Sequence, residues 1–430
     1  MKFSSLISLL LFLLLAVEAR SDLMVHVDFV RDNHNGNGVA GANGTADWIE
    51  ELDQATADAG VATFSAAERS VIQSNIISHL TTTYGGYSVN FTNVLPAVVH
   101  DTIYFGLEGV AGLLGNAPLD IGNLFTGQVT NVVPRSFSTF IETTDPRANM
   151  VSEISLALAG TAAHELGHSL GLLHHHAYSN AGITPANYAA TGGLQNNHIM
   201  ATGSTGLTEA GRETLRTFSP FERVMFDISG GARPVFTGQD NDSIVPGGGI
   251  VSDRTEDLGA DAGGSIATAR ALSFTTGATS GLEISFVEAD LDGLASDIDF
   301  YRFNASGAGR LLAHAYSTSL GYASTLEFNT TLQLFNSLGT LLASNDDVMY
   351  DGNVFNAGTV RSTDSFLNNI PIPAAGDYFL RVAATGGTGL AGSNYWLVTA
   401  FGLAIPEPSC FILTCLTVAV GLQLRSRRPL

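Results

Sequence analysis

Cysteine is nearly absent. Of 430 residues only Cys410 and Cys415 are cysteines, and both lie in the last apolar segment. The body of the chain therefore has no disulfide framework, no thiolate metal site and no cysteine nucleophile. Charge is scarce as well: 14% of residues are charged, and only 19 are Lys or Arg against 40 Asp or Glu, for a formal net charge of −21. Such a surface repels nucleic acid and anionic lipid, which excludes a nucleic-acid partner. What is plentiful is apolar mass, 45% of the residues, enough to bury a sizeable core in roughly two or three domains.

Both ends read as processing segments. A basic start, Met1-Lys2, precedes the apolar run 6–17, and Val17 and Ala19 are small residues placed for cleavage after Ala19. Residues 1–19 are expected to be a secretory signal peptide, a retained anchor being the competing reading. At the other end, the apolar stretch 410–424 is followed by Arg425, Arg427 and Arg428. It is short for a membrane span, yet long enough for transient membrane contact, with the basic cluster on the cytoplasmic side.

Between these ends the patterning changes twice. Leu23, Val25, Val27 and Phe29 alternate with Met24, His26 and Asp28, which predicts a first strand. Residues 31–62, rich in Asn, Gly, Asp and Ala, read as an insertion. Ser65 and Glu68 form a capping box ahead of Val71, Ile72, Ile76 and Leu80 at helical spacing. Strands are expected around Tyr87–Phe91, Ile103–Phe105 and 129–133, with a loop at 115–123. A long helix runs from between 145 and 152 to about Gly171, and Ser219-Pro220-Phe221-Glu222 opens another. Residues 20–229 thus make an α/β layer, 230–264 a Gly/Asp-rich linker, and 265–403 an all-β sandwich of short alternating strands.

The chemistry is concentrated in His164-Glu165-Leu166-Gly167-His168-Ser169-Leu170-Gly171-Leu172-Leu173-His174. Residues four apart share a helix face, so His164 and His168 can address one ion. Imidazole nitrogens suit zinc at ~2.0–2.1 Å. Gly171 permits the left-handed turn that ends the helix and brings back His174 as third ligand. Glu165, beside the first ligand, is placed to act as general base on a water whose pKa zinc lowers to about 7. His175, His176 and His198 are expected to be exposed loop residues, and Glu209 and Glu213 to stay outside the ligand set.

This full pattern resembles the signature of the metzincin zinc metallopeptidases, and residues 22–228 resemble the matrixin-like members. The resemblance implies a metzincin catalytic domain with a twisted, mostly parallel sheet and a long active-site helix. It also implies a methionine, here Met200 in His198-Ile199-Met200-Ala201-Thr202, that underlies the histidines without ligating the metal, and it makes 115–123 the sheet-edge segment. Two departures matter. There is no cysteine for a zinc-capping propeptide, and no tyrosine follows Met200 at once, where Ala201-Thr202-Gly203 stand. The expected activity is zinc-dependent endopeptidase action on protein or peptide substrates. The alternative is an inactive surface or matrix-binding adhesin using the same scaffold.

Two further resemblances complete the reading. Asp297-Ile298-Asp299-Phe300-Tyr301, Leu332-Gln333-Leu334-Phe335, Asn345-Asp346-Asp347 and Gly376-Asp377-Tyr378-Phe379-Leu380-Arg381-Val382 resemble the bacterial pre-peptidase C-terminal domain, a small β-sandwich attached to secreted peptidases. Asp297, Asp299, Asp346 and Asp347 are candidate Ca2+ ligands, with turn and strand-edge roles the competing reading. Pro406-Glu407-Pro408, the apolar stretch and the arginine cluster, within residues 404–430, resemble a PEP-CTERM sorting signal. That resemblance implies exosortase-type sorting machinery as a partner, and a body exported to the cell surface, outer envelope or extracellular matrix of a Gram-negative bacterium.

Overall fold

The structure is a computed structural model that describes residues 23–33, 41–106, 113–120, 123, 125–174, 198–201, 209–228, 250, 253, 262–291, 297–317, 328–350, 360–362, 364–385 and 393–402. The proposed signal peptide and sorting tail, most of the expected linker, and His175 and His176 lie outside the described residues. No helix among the described residues is long and apolar enough to cross a membrane.

The first half is an α/β layer. Strands β1 (Leu23–Asp28), β2 (Val89–Thr92), β3 (Asp101–Phe105), β4 (Gly115–Asn116) and β5 (Val129–Val132) form one sheet of order β2-β1-β3-β5-β4. The first four in that order run parallel, and β4 closes the edge antiparallel to β5. Helices α1 (Asp47–Asp58), α2 (Ala66–Thr83) and α3 (Arg147–Ser169) belong to the same layer. Val25 and Val27 of β1 meet Ile72, Ile76 and Leu80 of α2 and Ile154, Leu158 and Ala162 of α3 in one core. Both expected capping boxes form: Ser65 with Glu68 at α2, and Ser219 with Glu222 at α5 (Pro220–Asp227).

Some sequence expectations change locally. Residues 31–62, read as an insertion, contain helix α1 at 47–58. Trp48, Leu52 and Ala55 recur at helical spacing and are buried, but an Asn/Gly-rich run ahead of them and an uncapped start at Ala46 mask the pattern. Val71 is about half exposed, since Ile72, one position on, turns toward the core. His198 is buried at 4% exposure, because its segment pairs with Thr217.

The second half is β-rich. One antiparallel sheet has the order β15 (Ser365–Ile372), β10 (Gly309–Tyr316), β17 (Ser393–Gly402), β8 (Glu283–Leu291), β7 (Thr275–Thr276). The other has β12 (Leu341–Asn345), β11 (Thr330–Asn336), β16 (Gly376–Ala384), β9 (Ile298–Ala305), β6 (Arg270–Ala271). A hairpin of β13 (Val348–Tyr350) and β14 (Val360–Ser362) stands apart. Val287, Leu291, Tyr301, Leu311, Leu332, Leu380, Val382 and Leu397 fill the space between the sheets.

The first sheet is apolar on both faces. Alternation in β8 sends Val287, Ala289 and Leu291 into the sandwich, and Ile284 and Phe286 to the opposite side. Tyr316, Phe366, Trp396 and Val398 share that opposite side, where they join the core of the first half. A sheet buried on both faces loses the polar-out pattern of a half-solvated one. Helix α5 is what covers it. Phe221 packs on Phe366 with ring centroids 4.8 Å apart, the Tyr316 hydroxyl donates to Met225 Sδ at 3.1 Å, and Asp227 accepts the backbone N–H groups of Thr279 and Ser280, each at 2.8 Å.

Candidate metal centre

The end of α3 builds the centre. Gly171 has φ +88°, the left-handed region in which a Cβ would be strained. Its N–H donates to His168 O at 3.0 Å, and the next N–H, of Leu172, donates to Gly167 O at 2.9 Å. These two bonds are the Schellman pattern of a helix C-terminus. The reversal leaves the Leu172 carbonyl against His168 Nδ1 at 2.8 Å and delivers His174 to the same side as the two helical histidines.

The three imidazoles converge through Nε2. His174 Nε2 lies 3.0 Å from both His164 Nε2 and His168 Nε2, and donor atoms of all three lie within 4.8 Å of one another. Two nitrogens bonded to one tetrahedral ion at ~2.0–2.1 Å stand about 3.3 Å apart, so a metal would spread this triad only slightly. His164 Nδ1 meets the Ile199 carbonyl at 2.8 Å and His168 Nδ1 meets Leu172 O. A ring nitrogen facing a carbonyl must carry the proton, so each Nε2 presents its lone pair inward. Burial pushes His168 down to about 4 and His164 well below its usual range, the neighbouring histidines and Arg216 adding to the latter. Both are therefore neutral near pH 7, the form that binds a metal.

Met200 packs against α3. It is fully buried, and a Cβ added to Gly167 would come within 2.6 Å of its sulfur, so a larger residue at 167 requires the Met200 side chain to shift. The turn carrying Met200 is pinned from three sides. Ile199 N–H donates to Thr217 O at 2.9 Å. Arg216 Nη1 donates to the carbonyls of Ile199 (3.1 Å) and His198 (3.3 Å). Glu222 of α5 accepts the Met200 N–H.

Glu165, 7% exposed, lies against the edge strand. A Cβ on Gly115 would come within 2.7 Å of its Cγ. Burial raises its carboxyl to about 8 while the Arg212 guanidinium pulls the other way. The loop after β4 is tied to the end of α3: Asp120 N–H donates to His168 O at 3.1 Å, and Asp120 Oδ2 accepts from Phe125 N–H and Gln128 Nε2.

The structure thus brings together His164, Glu165, His168, His174 and Met200. Glu213 stands elsewhere, its charge acting on Glu153. Of the candidate Ca2+ ligands, Asp299 accepts the Tyr395 hydroxyl at 2.6 Å and Asp347 accepts Asn329 Nδ2 at 3.3 Å. The histidine triad is the only metal-donor group found among the described residues. Sequence reasoning missed Arg212 and Arg216. Their signal was a pair of arginines four apart, just after the Met200 segment, in a chain with few basic residues.

Fold and site together define a mixed α/β protein, β-rich in its second half, with a three-histidine centre able to hold a metal ion. No protein-family model matches the chain, and no curated protein is similar to it. Among solved structures it is similar to the pre-peptidase C-terminal domain of a collagenase from Bacillus anthracis, at 13% identity and a TM-score of 0.16, over 27% of this chain and 88% of that one.

Proposed function

We propose that the protein is a zinc-dependent endopeptidase of the metzincin type, with His164, His168 and His174 as zinc ligands and Glu165 as general base. The observation that carries this reading is the convergence of three Nε2 atoms, two of them with the lone pair turned inward by a carbonyl on Nδ1, with a buried carboxyl group beside the first of them. An all-imidazole donor set favours zinc over calcium or magnesium, which prefer oxygen. Bound zinc supplies Lewis acidity, polarising a carbonyl and lowering the pKa of a coordinated water to about 7.

The chain's own groups do the rest. Glu165 takes the proton of the attacking water as its oxygen bonds to the scissile carbonyl carbon. The same carboxyl then gives that proton to the nitrogen as the C–N bond breaks, leaving an acid and an amine. A nearby dication would pull the Glu165 carboxyl down from its buried value, toward the ionised form a base requires. Leu172 O and Ile199 O hold the ligand rings, and Met200 closes the floor beneath them. The export and sorting segments complete the proposal of a surface or matrix peptidase, with polypeptide as substrate and exosortase-type machinery as the partner at the C-terminus.

Glu165→Gln tests the reading. The variant is expected to keep its zinc and to lose at least about 100-fold in cleavage of an unfolded protein substrate, the range of a general base. Undiminished cleavage would remove Glu165 from the mechanism. Stoichiometric zinc with no cleavage by the wild type, together with tight polymer binding, would point to the adhesin instead.

A further inference from the structure

A cavity of about 530 Å³ opens where the α/β layer meets the sandwich. That volume is in the range that holds a small organic ligand. Three segments supply its walls. The end of α2 and the turn after it bring Thr82, Thr83 and Tyr87. The stretch from α4 (Glu209–Arg212) into α5 brings Thr217, Phe218 and Arg223, and the β7–β8 turn brings Ala278. The peptidase mechanism uses none of these side chains. Thr217 serves the metal centre only through its carbonyl, which accepts the Ile199 N–H at 2.9 Å.

The lining is polar and carries a single charge. Arg223 is the only charged side chain among the described residues that line the cavity. Its neighbours on α5, Glu222 and Val224, are buried, while Arg223 is half-buried and turned to the cavity. Among the described residues its guanidinium makes no hydrogen bond and no ion pair. The two carboxylates of the same helix are spent elsewhere. Glu222 accepts the Ser219 N–H, Asp227 accepts the N–H groups of Thr279 and Ser280, and both are fully buried. Arg223 thus gives the cavity a positive charge that no side chain meets at contact distance, in a chain of net charge −21. Beside it the Tyr87 ring stands edge-to-face on Phe218 and Phe226, with centroids 5.5 and 4.6 Å away, as a fixed aromatic wall. The hydroxyls of Tyr87, Thr83 and Thr217 have no hydrogen-bond partner among the described residues and are open to solvent.

We propose that this cavity binds an acidic sugar, a pyranose ring bearing one carboxylate, with the carboxylate on Arg223 and the ring hydroxyls on Thr83, Thr217 and Tyr87. The planar guanidinium fork matches a carboxylate through two parallel bonds. One cation balances one carboxylate, whereas a phosphate monoester carries about −1.5 to −2 at pH 7 and calls for more positive charge than this lining holds. Free hydroxyls beside an aromatic wall suit a polyhydroxylated ring, whose own hydroxyls donate and accept and whose C–H face packs on apolar carbon. The claim stands or falls without the peptidase reading, since the site needs neither metal nor turnover.

Isothermal titration calorimetry of the purified full chain with glucuronate, glucose, acetate and glucose 6-phosphate tests it. Glucuronate is expected to bind at one saturable site, at least about 10-fold tighter than each of the other three, the discrimination a charge-assisted hydrogen bond gives. Arg223→Met should weaken glucuronate at least about 10-fold, and Arg223→Lys should restore part of the loss. Ala278→Phe, at an exposed position of the β7–β8 turn, should fill the cavity and abolish binding with Arg223 in place. Unfolding midpoints without ligand show whether each variant folds, and the selectivity of the wild type decides even where one does not. No binding at about 10 mM glucuronate overturns the site. Glucose as tight as glucuronate, or undiminished binding in Arg223→Met, overturns the role of Arg223. Acetate as tight as glucuronate overturns the sugar assignment, and tighter glucose 6-phosphate overturns the carboxylate.

Discussion

Gly167 and Met200 are packed closely: a Cβ on Gly167 would lie 2.6 Å from the Met200 sulfur. Gly167→Ala would drive a methyl group into the Met200 sulfur, and overpacking a tight site costs about 1–3 kcal/mol. Denaturant midpoints of wild type and variant measure this. Arg216 works one bond further from the metal, holding the carbonyl that orients His164. Losing an outer partner of a ligand lowers metal affinity by about 10–100-fold. Arg216→Met should therefore release zinc to a chromophoric chelator at correspondingly lower chelator concentration, with an unchanged ligand set. The convergence of the three histidines was legible in the sequence because helical spacing and one glycine fix it locally. Arg212 and Arg216 were not legible as site residues, because their meaning lies in contacts with segments distant in sequence that no periodicity encodes.

At the scale of elements, α5 joins the two halves. Its first turn holds Met200 through Glu222, and its last residue, Asp227, caps the loop ahead of β8. Asp227→Ala would leave the buried Ser280 N–H and the part-buried Thr279 N–H without their partner, at about 2–4 kcal/mol together; thermal unfolding of the variant reads this directly. Glu222 also sets a pH dependence. Burial raises its carboxyl to about 8, so between the unfolded value and 8 the native state binds more protons than the unfolded one, and stability falls as pH rises. Lowered histidines such as His168 act in the opposite sense, but only below about 6.5. Metal-free protein is thus expected to lose stability from pH 6.5 to 8, Glu165 acting in the same sense, and Glu222→Gln to remove part of that decline. The capping boxes of α2 and α5 were readable from Ser65/Glu68 and Ser219/Glu222, whereas α1 was hidden by the composition before it.

Across the whole molecule, the sandwich is no loosely tethered module, since its first sheet shares a core with α5 and the α/β layer. The sequence shows the strands of that sheet, and the loss of polar-out alternation in β8 marks a buried outer face, but nothing local in the sequence names the partner that covers it. Net charge brings one more consequence. At −21 the chain repels an acidic peptide at long range. Raising salt from about 0.01 to 0.15 M shortens the screening length from ~30 to ~8 Å. Cleavage of Glu peptides should accordingly rise over that interval, a rate measurement at low substrate being sufficient to see it.

All of these expectations stand on the three histidines holding one zinc ion. The direct measurement is elemental metal analysis of the purified full chain beside His168→Ala, after dialysis against trace zinc. One zinc per chain in the wild type and essentially none in the variant is the predicted result. Equal zinc in both, or none in either, would contradict it.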